Sequence, residues 1–225
     1  MPIVHSTKLK RALPLLAGLL IFKVTVVVIL GYRNYFPPNF NSDFLRGRED
    51  YFSSYQWAFY PHIVSGPVSL MLGMILISEQ FRRRLPKWHR CLGRIQVASI
   101  LLLVTPSGLW MAYYAATGTA AAIGFALLAV FTGMCAALGW RAAVQRRFAV
   151  HRRWMWRCFL LLCSAVGLRL LVGLATVCGV QAAWFDPLAS WASWTVPLAV
   201  FELGCLFSRR TGRLSVQPAP IVQRQ

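Results

Sequence analysis

His62, Gly66, Ser69 and Gly73 stand at offsets of 4, 7 and 11 residues within a mostly apolar run. Helical geometry puts these offsets on one face, so an imidazole and a hydroxyl share a stripe with two glycines. Glycine on such a stripe lets another helix, or a flat ligand, approach the backbone. Pro67 lacks an N–H and frees the carbonyl of Ile63, one turn from the histidine. Pro106 and Pro197 do the same to Leu102 and Ser193. The stripe supports two readings, tight packing around a hydrogen-bonded histidine or a His62 that faces a ligand.

Lys23, His62, Arg169 and Glu202 are the ionisable side chains inside long apolar runs. Such groups are costly in lipid and turn toward the bundle interior, paired. At a rise of about 1.5 Å per residue, His62 lies about 8 Å from one face of the membrane. Lys23 and Arg169 lie about 12–17 Å from that face, and Glu202 about 17 Å. These depths allow an Arg169–Glu202 pair, read either as a structural clamp or as part of a polar pocket or proton path with His62.

A different chemistry is offered by two cassettes at the heads of apolar runs. One is Trp88-His89-Arg90-Cys91-Leu92-Gly93-Arg94, and the other is His151-Arg152-Arg153-Trp154-Met155-Trp156-Arg157. Arginine there anchors a membrane orientation. Together with His89 and His151, residues Arg90, Arg94, Arg152 and Arg157 also suit lipid phosphate, another anionic ligand or a cofactor carboxylate. A bis-histidine haem needs two imidazoles facing each other at similar depth. His62 has no such partner within the runs, which leaves His89 and His151 as the haem candidates. There is no Cys-x-x-Cys-His, Gly-rich nucleotide loop, Ser-x-x-Lys or His-Glu-x-x-His signature. The six cysteines include no Cys-x-x-Cys, and most sit in apolar runs. They indicate neither a disulfide framework nor a metal site.

The elements that must hold these residues follow from composition. Of the 225 residues 57% are hydrophobic and 13% charged, against roughly 25% charged in soluble domains. Apolar runs of about 20 residues are long enough to cross the hydrocarbon core as helices. The expected fold is an all-α bundle of six transmembrane helices over 13–207, with spans at 13–31, 57–78, 95–116, 119–140, 158–180 and 190–207. A basic N-terminus (1–12) precedes them, an outer loop (32–56) covers the outer mouth, and a disordered basic tail (208–225) follows. The first run is longer than a signal-peptide core and lacks a small-x-small site, so it reads as a retained span. The net charge is +18, and 19 of the 24 Lys and Arg lie in the N-terminus, the two basic connectors and the tail. Six spans put all four segments on one side, which the charge rule makes cytoplasmic, together with both termini. The same confinement argues against nucleic acid and for anionic lipid headgroups as the partner. Small residues such as Ala120/Gly124 and Gly133/Ala137 in the fourth span favour close helix approach.

His62-Ile-Val-Ser-Gly-Pro67, the two His-Arg cassettes, Leu168-Arg169, and Trp194 followed by Glu202 resemble the predicted-membrane-protein family named domain-of-unknown-function family 2306. The likeness runs from about residue 35 to 205. The family's pattern has an Asn after the proline of the sixth span, where this chain has Leu198. The resemblance implies a polytopic bacterial protein of the inner (plasma) membrane and names no activity, substrate or cofactor. Whether the chain is an enzyme stays open. Three functions stay open too: a redox-accessory or ligand-binding protein for a quinone, haem or lipid-like molecule; a small proton-coupled transporter; or a structural or assembly protein without a ligand.

Overall fold

The computed structural model describes residues 4–42, 44–180 and 182–214. Among them it has nine α-helices: α1 (Val4–Gly31), α2 (Phe52–Ile77), α3 (Glu79–Arg84), α4 (Pro86–Ser99), α5 (Thr105–Tyr113), α6 (Thr119–Val144), α7 (Phe148–Leu162), α8 (Ser164–Val177) and α9 (Phe185–Leu214). Residues Ile100–Val104 form a π-helical turn that joins α4 to α5, and α7 and α8 are two parts of one span divided at Cys163. Six stretches are long and apolar enough to cross a membrane: Pro14–Asn34, Glu49–Ile77, Pro86–Tyr113, Thr119–Val144, Phe148–Val177 and Phe185–Phe207. The protein is thus an all-α, multi-pass membrane bundle. One end carries the basic connectors and is called the basic end; the other carries residues 32–51 and is called the loop end.

Several boundaries differ from those expected. The third and fifth spans begin at Pro86 and Phe148 rather than 95 and 158, because both His-Arg cassettes are helical. Arg, Leu, Met and Lys are good helix formers, and long cationic side chains bury their stems while their heads stay wet. The sixth span begins at Phe185 rather than 190, with Asp186 in its first turn, where a carboxylate suits the helix dipole. Both ends of the chain carry more helix than expected. Helix α1 starts at Val4 and α9 continues to Leu214, while the rest of the expected tail, 215–225, lies outside the described residues.

Small residues let the helices close on α6. Gly133 receives Thr105, whose Oγ1 would lie 2.9 Å from an added Cβ, and Gly139 receives the Met155 sulfur at 2.7 Å. Gly124 takes the ring of Trp191, which donates its indole N–H to Ala120 O at 2.9 Å. Leu198, at the position where Asn was expected, packs against the main apolar core. The π-turn has a local cause: Pro106 cannot donate to Leu102, and the helix widens ahead of it rather than bending sharply.

At the loop end, residues 32–42 and 44–51 fold onto α2 and α5. Leu45 and Phe59 are fully buried there among Tyr35, Phe52, Tyr55 and Tyr114. Arg48 ties this cap together. Its guanidinium donates to Phe44 O at 2.8 Å and to Tyr114 O at 2.9 Å, and it lies 5.0 and 5.1 Å from the ring centres of Phe44 and Tyr55. Helix α1 is the exception to this close packing. Only 6% of its most apolar window is buried, against 39% for α6.

Candidate functional site

A cavity of about 720 Å³ opens beneath the cap, walled by α1, α2, α5, α6, α7, α8 and α9. Its walls are mainly Val, Leu, Ala and Phe, and its polar groups include His62, Arg169, Arg48 and Asp186. Gly66 contributes bare backbone, with nothing within 4 Å of where its Cβ would be. Gly73, the second glycine of the stripe, is instead filled by the Phe159 ring at 2.9 Å. One glycine therefore serves helix packing while the other leaves space.

His62 is oriented by Ser107, with Nδ1 and Oγ 3.1 Å apart. The single hydroxyl proton of Ser107 goes to the Leu103 carbonyl, so the hydroxyl accepts from an Nδ1–H. In the neutral imidazole that leaves Nε2 as a lone-pair acceptor, on a side chain that lines the cavity.

Arg169 uses one N–H to reach Ala165 O at 2.8 Å. A guanidinium has five such donors, and among the described residues no carboxylate lies within ion-pair distance of this one. Asp186 lines the same cavity without pairing to it. Arg48 is at the cavity edge too, but its donors are committed to the cap.

The structure does not bring Glu202 to Arg169. Glu202 pairs with Arg157 toward the basic end, through Nε–Oε1 at 2.5 Å and Nη2–Oε2 at 2.9 Å, while the Arg157 guanidinium stacks over Trp154 at 4.6 Å. The expected pairing fails on depth. With α9 starting at Phe185, Glu202 is about 26 Å along it from the loop end, whereas Arg169 is about 12 Å from the end of α8. Lys23 is exposed on α1 and does not line the cavity.

At the basic end, His151 donates from Nδ1 to Gly139 O at 2.8 Å. His89 is half-buried beside Phe81, with a ring separation of 6.5 Å, and its Nδ1 has no partner among the described residues. Arg90 and Arg94 line an open groove of about 510 Å³ with Lys87 and Cys91, and Arg152 is exposed. Among the described residues, no group of three or more His, Cys, Asp or Glu is arranged to hold a metal ion.

One family model matches residues 59–205, from the middle of α2 to α9. The chain belongs to DUF2306, a family described as predicted membrane protein. No curated protein and no solved structure matches it. Within this DUF2306 chain the matched segment includes His62, His89, His151, Arg157, Arg169 and Glu202, whereas α1 and Arg48 precede it.

Two residues of this DUF2306 bundle carried sequence signals that went unused. Arg48 counted only as a loop charge, yet Phe44, Tyr51, Phe52 and Tyr55 lie within seven positions of it. Gln96 is a lone amide in an apolar run. It is 1% exposed, and its Nε2 donates to Ser69 O at 2.8 Å.

Proposed function

We propose that this DUF2306 protein is a binding protein for a phosphate- or carboxylate-bearing, lipid-like molecule, held in the cavity under the cap. The observation that carries the reading is Arg169, a cation with no carboxylate partner among the described residues, facing a largely apolar cavity at membrane depth. Such a cation is costly in lipid unless an anion meets it, and a cavity of this size falls within the range of small-molecule sites. The apolar walls suit acyl or isoprenoid chains. The cap lies over the loop end, so the loosely packed α1 is the natural side for a ligand to enter from the bilayer.

The proposed setting is a bacterial plasma membrane with both termini cytoplasmic. The concentration of Lys and Arg at one end supports it, and on that orientation the cavity would lie in the outer half. The basic end then meets anionic headgroups of the inner leaflet, the same charge pattern that argues against nucleic acid. A bis-histidine haem in the cavity lacks support, because among the described residues His62 is the only histidine that lines it. A quinone is the runner-up ligand, since His62 Nε2 would accept from a quinol hydroxyl.

The test is to purify the full chain in mild detergent, extract what co-purifies and identify it by mass spectrometry. The expected result is a stoichiometric phospholipid or other anionic lipid, at least tenfold depleted in Arg169→Gln protein of unchanged helicity. A quinone retained by both proteins, or no enriched lipid, would overturn the reading.

A further inference from the structure

Resting on that reading, the geometry points to a headgroup class: we infer that the ligand is a phospholipid whose phosphate carries an arm ending in N–H or O–H donors. The polar groups of the cavity are unequal in kind. Arg169 offers only donors, and these suit a phosphate. His62 offers an acceptor, because Ser107 takes the Nδ1–H and leaves Nε2 as a lone pair. Asp186, in the first turn of α9, lines the same cavity and is also an acceptor. The Asp186 carboxylate, exposed at the loop end, has no hydrogen-bond partner among the described residues.

A purely anionic head with no donors satisfies Arg169 and leaves both acceptors facing an acceptor-only ligand. Two carboxylate lone pairs and an imidazole lone pair meeting phosphate oxygens would be repulsive. A head that joins phosphate to an ammonium or to hydroxyls satisfies all three groups. A quaternary ammonium carries the same charge as a primary one but no donor, so it cannot complete the set. Between the ethanolamine and choline heads, both zwitterionic, the distinction rests on hydrogen bonding and not on net charge.

The experiment titrates the delipidated full chain in mild detergent with short-chain phosphatidylethanolamine, phosphatidylglycerol and phosphatidylcholine, read by native mass spectrometry and by the shift in unfolding temperature. The ethanolamine and glycerol heads are expected to bind at least about tenfold tighter than choline, the order of one charge-assisted hydrogen bond. Asp186→Asn and His62→Phe should each shrink that preference. Because His62→Phe also removes the Ser107 contact, Asp186→Asn is the safer variant. Ethanolamine tighter than glycerol identifies an ammonium arm, and the reverse order identifies a hydroxyl arm.

Equal binding of all three heads, lost together in Arg169→Gln, overturns the donor-arm inference and leaves the phosphate reading standing. Binding of all three that Arg169→Gln does not change, or no binding, overturns both.

Discussion

The partner of Glu202 is the sharpest structural statement open to direct test. Its carboxylate and the Arg157 guanidinium form a two-point pair with side-chain exposures of 39% and 21%. Fully exposed pairs contribute about 0–1 kcal/mol, and breaking a fully buried one costs about 3–5 kcal/mol. This pair is intermediate, and the Arg157 cation keeps its Trp154 stacking when the carboxylate is lost. Glu202→Gln is therefore expected to destabilise the bundle by about 1–2 kcal/mol. The assay is a double-mutant cycle in detergent micelles, with unfolding followed by circular dichroism. Arg157→Gln combined with Glu202→Gln should give a coupling energy of about 1 kcal/mol or more. Arg169→Gln combined with Glu202→Gln should be additive within about 0.3–0.5 kcal/mol, as expected for separated sites. Coupling to Arg169 but not to Arg157 would refute the pairing and the helix depths behind it.

Other expectations follow from single features. Gly73→Ala pushes a methyl to 2.9 Å from the Phe159 ring and should cost about 1–3 kcal/mol, whereas Gly66→Ala meets nothing within 4 Å and should leave the unfolding midpoint unchanged or raised. Gln96→Leu loses the bond to Ser69 O but also removes a buried Oε1 that has no partner, so thermal unfolding should move little; Gln96→Glu puts a charge there and should lower the midpoint strongly. The hydrogen bond from Arg83, with its charge and that of Arg82, holds the Glu79 carboxyl below the usual carboxylate range. Its contribution is present above the ordinary carboxylate pKa and fades as pH falls through the lowered value, so an acid titration of helicity should show a small difference from Glu79→Gln that vanishes in acid. On the proposed orientation, an impermeant maleimide added to intact cells should label exposed Cys178 at the loop end and spare exposed Cys91 at the basic end; the reverse pattern refutes the orientation.

How much of this was legible beforehand depends on the kind of signal. Six spans were readable because apolar length is a local property. The ends were less so, since Arg152 and Arg153 look like loop residues while their stems and helix propensity continue α7. A separate misplacement had the larger consequence: a sixth span begun five residues late moved Glu202 about 7 Å toward Arg169. Pairings across the fold had no local trace. His62 meets Ser107 over 45 residues, and nothing near Ser107 announces it. Of the polar residues singled out in the spans, His62 and Arg169 share the cavity, while Lys23 and Glu202 do not line it. His89 and His151 both lie toward the basic end, with Arg157 serving the Glu202 pair.

The loose seating of α1 ties the cavity to the mechanics of the bilayer. Its span of 21 residues is roughly 31 Å long at about 1.5 Å per residue, close to the thickness of the hydrocarbon core. A helix held by lipid more than by protein answers a thinner membrane by tilting, at a cost of only fractions of a kcal/mol per ångström. The α2–α9 wall, clamped by Gly133, Gly139 and the Arg157–Glu202 pair, does not tilt with it. Thinning or stretching the membrane therefore changes the gap between a compliant wall and a stiff one, so the width of the cavity varies with lipid chain length and lateral tension.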